Sequence, residues 1–368
     1  MIGSAQTTLL AALIYIAEGS SKSPGQEKKL FTTIKFQQRG GKMSNKSSII
    51  RGCWQLAADH SQQNITLNPI LDAIECGFTA FDCGDIYLGV EELLGKAVHL
   101  KKLRIHTKFV PDRNSLQQID KMYVEKIVDR SLKRLQADCI DLMQFHWWDW
   151  EVKNYFFAME VLSELKAKGK IAEIGLTNLN CKYLEEFAKR FDIASLQVQA
   201  SLFDKRIARG IGRFCREKKI KIFAYGTLLG GFLNEKWLMQ EEPKLHLLEN
   251  RSLVKYKLLI DAACGWNEFQ RRLSKLNDLA IKHRSDIASV SLAALLQGGQ
   301  IDAAIVGLSP VNYFSQNRTL AQLPRLDPQD MLELDAWACN LQGDAYDEER
   351  DMSKAHAKVM KYNLNTND

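Results

Sequence analysis

At 368 residues, 46% hydrophobic and 26% charged, the chain has an ordinary globular composition and enough length for one large barrel or two smaller domains. The formal charge of +6 concentrates near the N-terminus, where seven Lys or Arg in 1–46 stand against Glu18 and Glu27 and leave about +1 for the rest. That balance excludes a broadly basic nucleic-acid face, and eight scattered cysteines without CxxC pairs or close His partners exclude an encoded zinc site or disulfide framework.

In chain order, the apolar stretch 9–17 comes first, at roughly half the ~20 residues a membrane-spanning helix needs. Two readings stay open for it. One is a signal-peptide core, against which stand the lack of Lys or Arg in 1–8 and the thiol-rich body of a cytoplasmic protein. The other is a disordered or non-native extension over 1–46, with Met43 as an internal start.

From Ile49 onward, short apolar runs alternate with segments of helical period, the pattern of a parallel sheet with crossover helices. The runs are 49–53, 79–82, 103–108, 139–146, 171–177, 195–198, 220–225 and 303–307. Eight strands predict an α/β fold closed as a parallel (β/α)8 barrel over 47–345. Asn68 and Pro69 offer a cap and a first-turn proline, and Gly77 a left-handed terminator. Val124, Ile127, Val128, Leu132 and Leu135 repeat at three- and four-residue steps within 118–135, predicting a helix with one buried face. Phe156, Met159, Leu162 and Leu165 predict another, ended by Lys168-Gly169-Lys170.

The connection 226–267 is far longer than its fellows, which marks it as a candidate lid over the catalytic face. A helix is expected around 331–338, and a charged, flexible tail over 346–368.

In such a barrel, chemistry gathers at the C-terminal strand ends. Asp82, Lys108 and His146 each close an apolar run, and Tyr87 follows on the loop after Asp82. Singly, each reads as a turn cap, a solvated charge or packing. Jointly they define proton transfer to a carbonyl: the Lys108 ammonium should draw the Tyr87 phenol toward neutrality, Asp82 should hold Lys108, and His146 should orient the carbonyl oxygen.

The order and spacing of several segments resemble the aldo-keto reductases. They are Phe81-Asp82-Cys83-Gly84-Asp85-Ile86-Tyr87, His106-Thr107-Lys108, Ser131-Leu132-Lys133-Arg134-Leu135, Asp141-Leu142-Met143-Gln144-Phe145-His146 and Gly169-Lys170-Ile171-Ala172-Glu173-Ile174-Gly175-Leu176-Thr177-Asn178. The resemblance runs from Ile49 to Asn317. It implies that Asp82, Tyr87, Lys108 and His146 form a catalytic tetrad, with hydride supplied by NADP(H), or by NAD(H).

It further implies that Thr177, Asn178 and Gln197 bind the nicotinamide carboxamide, and that Tyr225 stacks on the ring. Gly52, Cys53, Trp54, Gly226, Gly307, Ser309, Tyr313 and Asn317 complete the implied cofactor contacts. Ser309 and Tyr313 stand where basic or amide residues often grip a 2′-phosphate, which loosens the NADP(H) assignment. Cys53 and Cys83 replace smaller residues and should be tolerated.

The aromatic run Trp147-Trp148-Asp149-Trp150 reads equally as a pocket wall or as packing, and Trp54 and Trp266 pose the same question. The expected partner is a small-molecule carbonyl, with no nucleic acid, membrane or metal, acting on a monomer or weak homo-oligomer. The rival reading is a cofactor-sensing regulatory subunit built on the same barrel.

Overall fold

The computed structural model describes residues 48–58, 66–311, 313–351 and 353–361; the expectations for 1–46 fall outside them. Eight strands form a closed, all-parallel barrel in sequence order. They are β1 (Ile49–Gly52), β2 (Ala80–Asp82), β3 (Arg104–Phe109), β4 (Ile140–Phe145), β5 (Ile171–Thr177), β6 (Ser195–Gln199), β7 (Lys221–Tyr225) and β8 (Ala303–Gly307). Closure comes from β1 against β8, in a register running from Ile49↔Ala304 to Gly52↔Gly307.

Period two decides what each strand offers. Ile50, Leu142, Phe223, Ala303 and Ile305 meet inside the barrel, while residues such as Ile49, Phe81 and Phe145 join the larger core shared with the helices.

The outer layer begins with α1 (Asn68–Glu75), α2 (Val90–Ala97), α3 (Lys121–Leu135), α4 (Tyr155–Ala167), α5 (Cys181–Ala188) and α6 (Gly210–Lys218). Two boundaries differ from expectation. Asn68 is the first helical residue of α1 and Leu67 its cap, with no side-chain cap bond, because Pro69 supplies the start. In 118–135 the helix starts at Lys121, since the Asp120 carboxylate accepts the Tyr123 N–H at 2.7 Å and fixes the N-terminus there. Helices α2 and α3 touch so closely that a Cβ on Gly95 would lie 2.3 Å from the Arg134 carbonyl oxygen.

The long connection after β7 folds into short turns followed by α7 (Arg251–Ala263) and α8 (Trp266–Lys282), and α9 (Ile287–Gln297) leads into β8. Phe232, Trp266, Phe269 and Leu273 give this region a core of its own, so Trp266 is a packing residue.

After β8 come α10 (Tyr313–Leu320), α11 (Pro328–Asp335), α12 (Ala345–Arg350) and α13 (Ala355–Lys361). The helix expected around 331–338 begins three residues earlier, capped by Asp327. The expectation of a flexible tail over 346–368 is corrected for the stretches covered by α12 (Ala345–Arg350) and α13 (Ala355–Lys361), which are helical, and the first of them is docked. Tyr346 packs edge-on to Trp150 at 6.4 Å, the Asp344 carboxylate accepts the Cys181 N–H at 2.9 Å, and Glu348 pairs with Arg206 at 2.6 Å. Sequence composition saw only charge; the structure gives Asp344, Asp347, Glu348 and Glu349 partners outside the tail, in Cys181, Asn180, Arg206 and Lys255. No helix among the described residues is long and apolar enough to cross a membrane.

Candidate active site

Parallel strands bring Asp82, Lys108 and His146 to one rim because their registers align: Asp82 pairs with His106, and Lys108 with Gln144, two residues before His146. Lys108 Nζ lies 2.5 Å from Asp82 Oδ1 and donates to the Cys83 carbonyl at 2.5 Å, both side chains nearly buried. The second Asp82 oxygen accepts from the Gln144 amide at 2.8 Å and the Gln197 amide at 2.7 Å. Such a buried pair holds only when the remaining lone pairs are satisfied, and the two glutamines satisfy them. Burial opposes the charge on Lys108, but Asp82 and the Tyr87 phenol hold its pKa above the usual lysine range.

Tyr87 is half-buried, its ring 4.9 Å below the Lys108 ammonium and edge-on to Trp54 at 4.8 Å. The loop carrying it is clamped from α3. Arg130 pairs with the Asp85 carboxylate at 3.1 Å, and Arg134 reaches the Asp85 carbonyl at 2.9 Å and Glu91 at 3.3 Å. The expected direction of the Tyr87 shift is reversed. Burial pushes the phenol up to about 12, outweighing the lowering by Lys108, whose charge is largely spent on Asp82.

His146 is buried just past β4, its N–H on the Phe109 carbonyl and its ring edge-on to Trp148 at 4.4 Å. The aromatic run divides by role. Trp147 is fully enclosed, its indole N–H shared between the Asp149 and Val152 carbonyls, and Trp150 stacks on Tyr183 at 4.3 Å. Trp148 stays half-buried beside His146.

Opposite this cluster, β5 and β7 end in a second one. Tyr225 donates its hydroxyl proton to Asn178 Oδ1 at 2.9 Å, and Asn178 adopts a left-handed φ of 54°.

Comparison with known proteins places the chain in a family. The model of the Aldo/keto reductase family matches residues 48–338. The chain belongs to this family. An uncharacterised oxidoreductase, YqkF, from Bacillus subtilis is 27% identical over 301 residues, covering 78% of this chain and 91% of that one. The Schizosaccharomyces pombe protein named aldo-keto reductase yakc [NADP(+)] is 29% identical over 287 residues, 72% of this chain and 81% of its own. Among solved structures, the glycerol dehydrogenase AKR11B4 of Gluconobacter oxydans superposes with a TM-score of 0.64 at 21% identity, over 78% of this chain and 90% of that one, a likeness of fold. As an aldo-keto reductase, the protein is an NAD(P)H-dependent oxidoreductase.

The residues at the barrel mouth fit a nicotinamide group. The Thr177 hydroxyl is buried with no hydrogen-bond partner among the described residues, beside Asn178 and the Tyr225 ring. Gln197, expected on the carboxamide, donates from its amide nitrogen to Asp82 and to Gln144 Oε1 at 2.9 Å. Gly226 takes a φ of 70° with the Tyr256 hydroxyl 2.2 Å from where a Cβ would stand, so only glycine fits.

On the far side, Gly52 and Gly307 lie paired across β1 and β8. Cys53 is fully buried, its thiol pushed up to about 12 by burial, and Cys83 is equally enclosed. Ser309 and Tyr313 are half-buried after β8. Asn317 is wholly enclosed, its amide on Asp72 at 2.8 Å, and presents no surface to a ligand as placed.

Three polar residues escaped the sequence reading. Gln144 could have been found two residues before His146 on the same strand face. His106 stacks on Phe223 at 5.3 Å within the barrel, both its nitrogens without partners among the described residues. Lys255 lies buried in the long connection, where no periodicity flags it. Of metal-like groupings, His283, Asp327 and Asp330 stand together, but Lys282 pairs with both carboxylates at 2.7 Å.

Proposed function

We propose that the protein reduces aldehydes or ketones, aldose sugars included, with NADP(H) as the preferred dinucleotide and Tyr87 as proton donor. The bound nicotinamide supplies hydride. Tyr87, with its pKa raised, is fully protonated at working pH, and an alkoxide oxygen developing on the substrate is a stronger base than the phenolate left behind. Lys108 stabilises that phenolate as it forms, and Asp82, braced by Gln144 and Gln197, fixes the ammonium in place. His146 presents its ring toward the carbonyl oxygen, while Trp54 and Trp148 offer apolar walls.

The observation that carries this reading is the closed Asp82–Lys108 pair set against the Tyr87 ring at the strand ends. Preference for NADP(H) rests on the fission-yeast relative, whose name carries NADP(+). All eight cysteines are free thiols, which suits a cytoplasmic protein acting as a monomer or weak homo-oligomer.

The test is NADPH oxidation against a panel of aldehydes, ketones and aldoses, beside an NADH series and Tyr87→Phe. Turnover that vanishes in Tyr87→Phe supports the mechanism. Tight NADPH binding with no turnover in either protein moves the assignment to a cofactor-sensing subunit.

A further inference from the structure

Lys255, on α7, is 8% exposed, and its Nζ lies 5.1 Å from the Tyr225 ring centroid and 5.4 Å from that of Tyr256. Its counter-charge comes from far along the chain: Glu349 Oε1 on α12 stands 2.5 Å away, and that carboxylate is also buried. The next carboxylates, Asp204 and Glu348, are engaged by Arg206 at 2.7 and 2.6 Å. Lys255 and Glu349 are thus an opposed pair of charges set against one aromatic ring.

We infer that the C-terminal helices control the affinity for oxidised cofactor, Glu349 being the counter-charge that lets a positively charged nicotinamide share the Tyr225 platform with Lys255. The inference rests on the proposed reading of Tyr225 as the nicotinamide platform. Reduced nicotinamide is uncharged and the oxidised ring carries a full positive charge. A cation on an aromatic face competes with any cation already held there, and the sign of that repulsion is the same whichever face Lys255 occupies. Burial of both side chains keeps solvent from screening it. Glu349 cancels the repulsion, and the uncharged reduced ring is indifferent to either residue.

The experiment is a fluorescence titration of intact protein with NADPH and with NADP+, reading the ratio of the two Kd values. Glu349→Gln should weaken NADP+ on the order of tenfold while NADPH stays within about twofold. Lys255→Met should move the ratio the other way, Lys255→Arg should keep the native ratio, and the double variant Lys255→Met/Glu349→Leu should restore it. Glu333→Gln, which breaks the exposed pair with Lys275, should leave both constants alone. A merely structural role would weaken both forms together, and equal losses in Glu349→Gln would overturn the inference. Should that variant fail to fold, Lys255→Met decides the matter: a ratio shifted in favour of NADP+ sustains the inference, and an unmoved ratio overturns it. A native protein that binds neither dinucleotide would bring down the reading of Tyr225 and the inference with it. Binding of both forms with an unmoved ratio would bring down the inference alone.

Discussion

The two sides of the barrel mouth are held by different means. On the β2–β3–β4 side, Asp82, Lys108 and Gln144 stand on paired strands, and backbone register alone brings them within hydrogen-bond reach. On the β5–β7 side, Tyr225, Lys255 and Glu349 are assembled from a strand, an inserted helix and the last helices, joined by side chains. The first arrangement is rigid by construction; the second depends on each ion pair staying made, which suits a part that adjusts to a ligand.

The largest effect that would sharpen this contrast is loss of the proton donor. Tyr87→Phe should lower kcat by about 10²- to 10⁴-fold while leaving the NADPH Kd nearly unchanged, because the phenol acts in the chemical step. Lys108→Met should leave Asp82 buried and unpaired at a cost of about 3–5 kcal/mol, read from a denaturant melt.

Below that pair, burial holds the His106 ring down to about 4. The unfolded chain then binds the proton first, so stability is complete above the free histidine value, declines as pH falls from there toward about 4, and levels off below it. His106→Leu should abolish up to about 3 kcal/mol of that acid dependence. The smallest effect belongs to the other side: Glu348→Gln should cost roughly 1–2 kcal/mol by weakening one charge-assisted contact to Arg206. A loss there as large as that of Lys108→Met would break the contrast.

The same division explains what was legible. Strand runs such as 171–177 and 303–307 appear in the structure with identical bounds, because buried parallel strands read as continuous apolar runs. Asp82, Lys108 and His146 stood out as polar residues closing such runs, and Tyr87 as the phenol on the loop after Asp82. Glu349 could not, since its partner Lys255 is separated from it by nearly a hundred positions and neither sits in a periodic pattern. The segment 345–350 has the composition of a solvated tail, and only tertiary pairing makes it a docked helix. The direction of the Tyr87 shift was illegible for a related reason: sequence shows which charges are near one another but not how much water is excluded around them.

The closure of β1 on β8 sets a timetable for the living chain. Strand β1 leaves the ribosome before the other strands of the barrel, and one of its hydrogen-bonding edges waits for β8, about 250 residues later. At about 5–20 residues per second, that wait is on the order of 10 to 50 seconds. For all that time an apolar strand has a naked edge, the sort that recruits other chains. Arg51, at the centre of β1, ends fully buried with Gln316 of the late-arriving α10 on its guanidinium at 2.8 Å. A charge at the centre of an unpaired strand edge is the kind of feature that disfavours edge-to-edge pairing, and in the finished barrel the same arginine serves as a latch between β1 and α10.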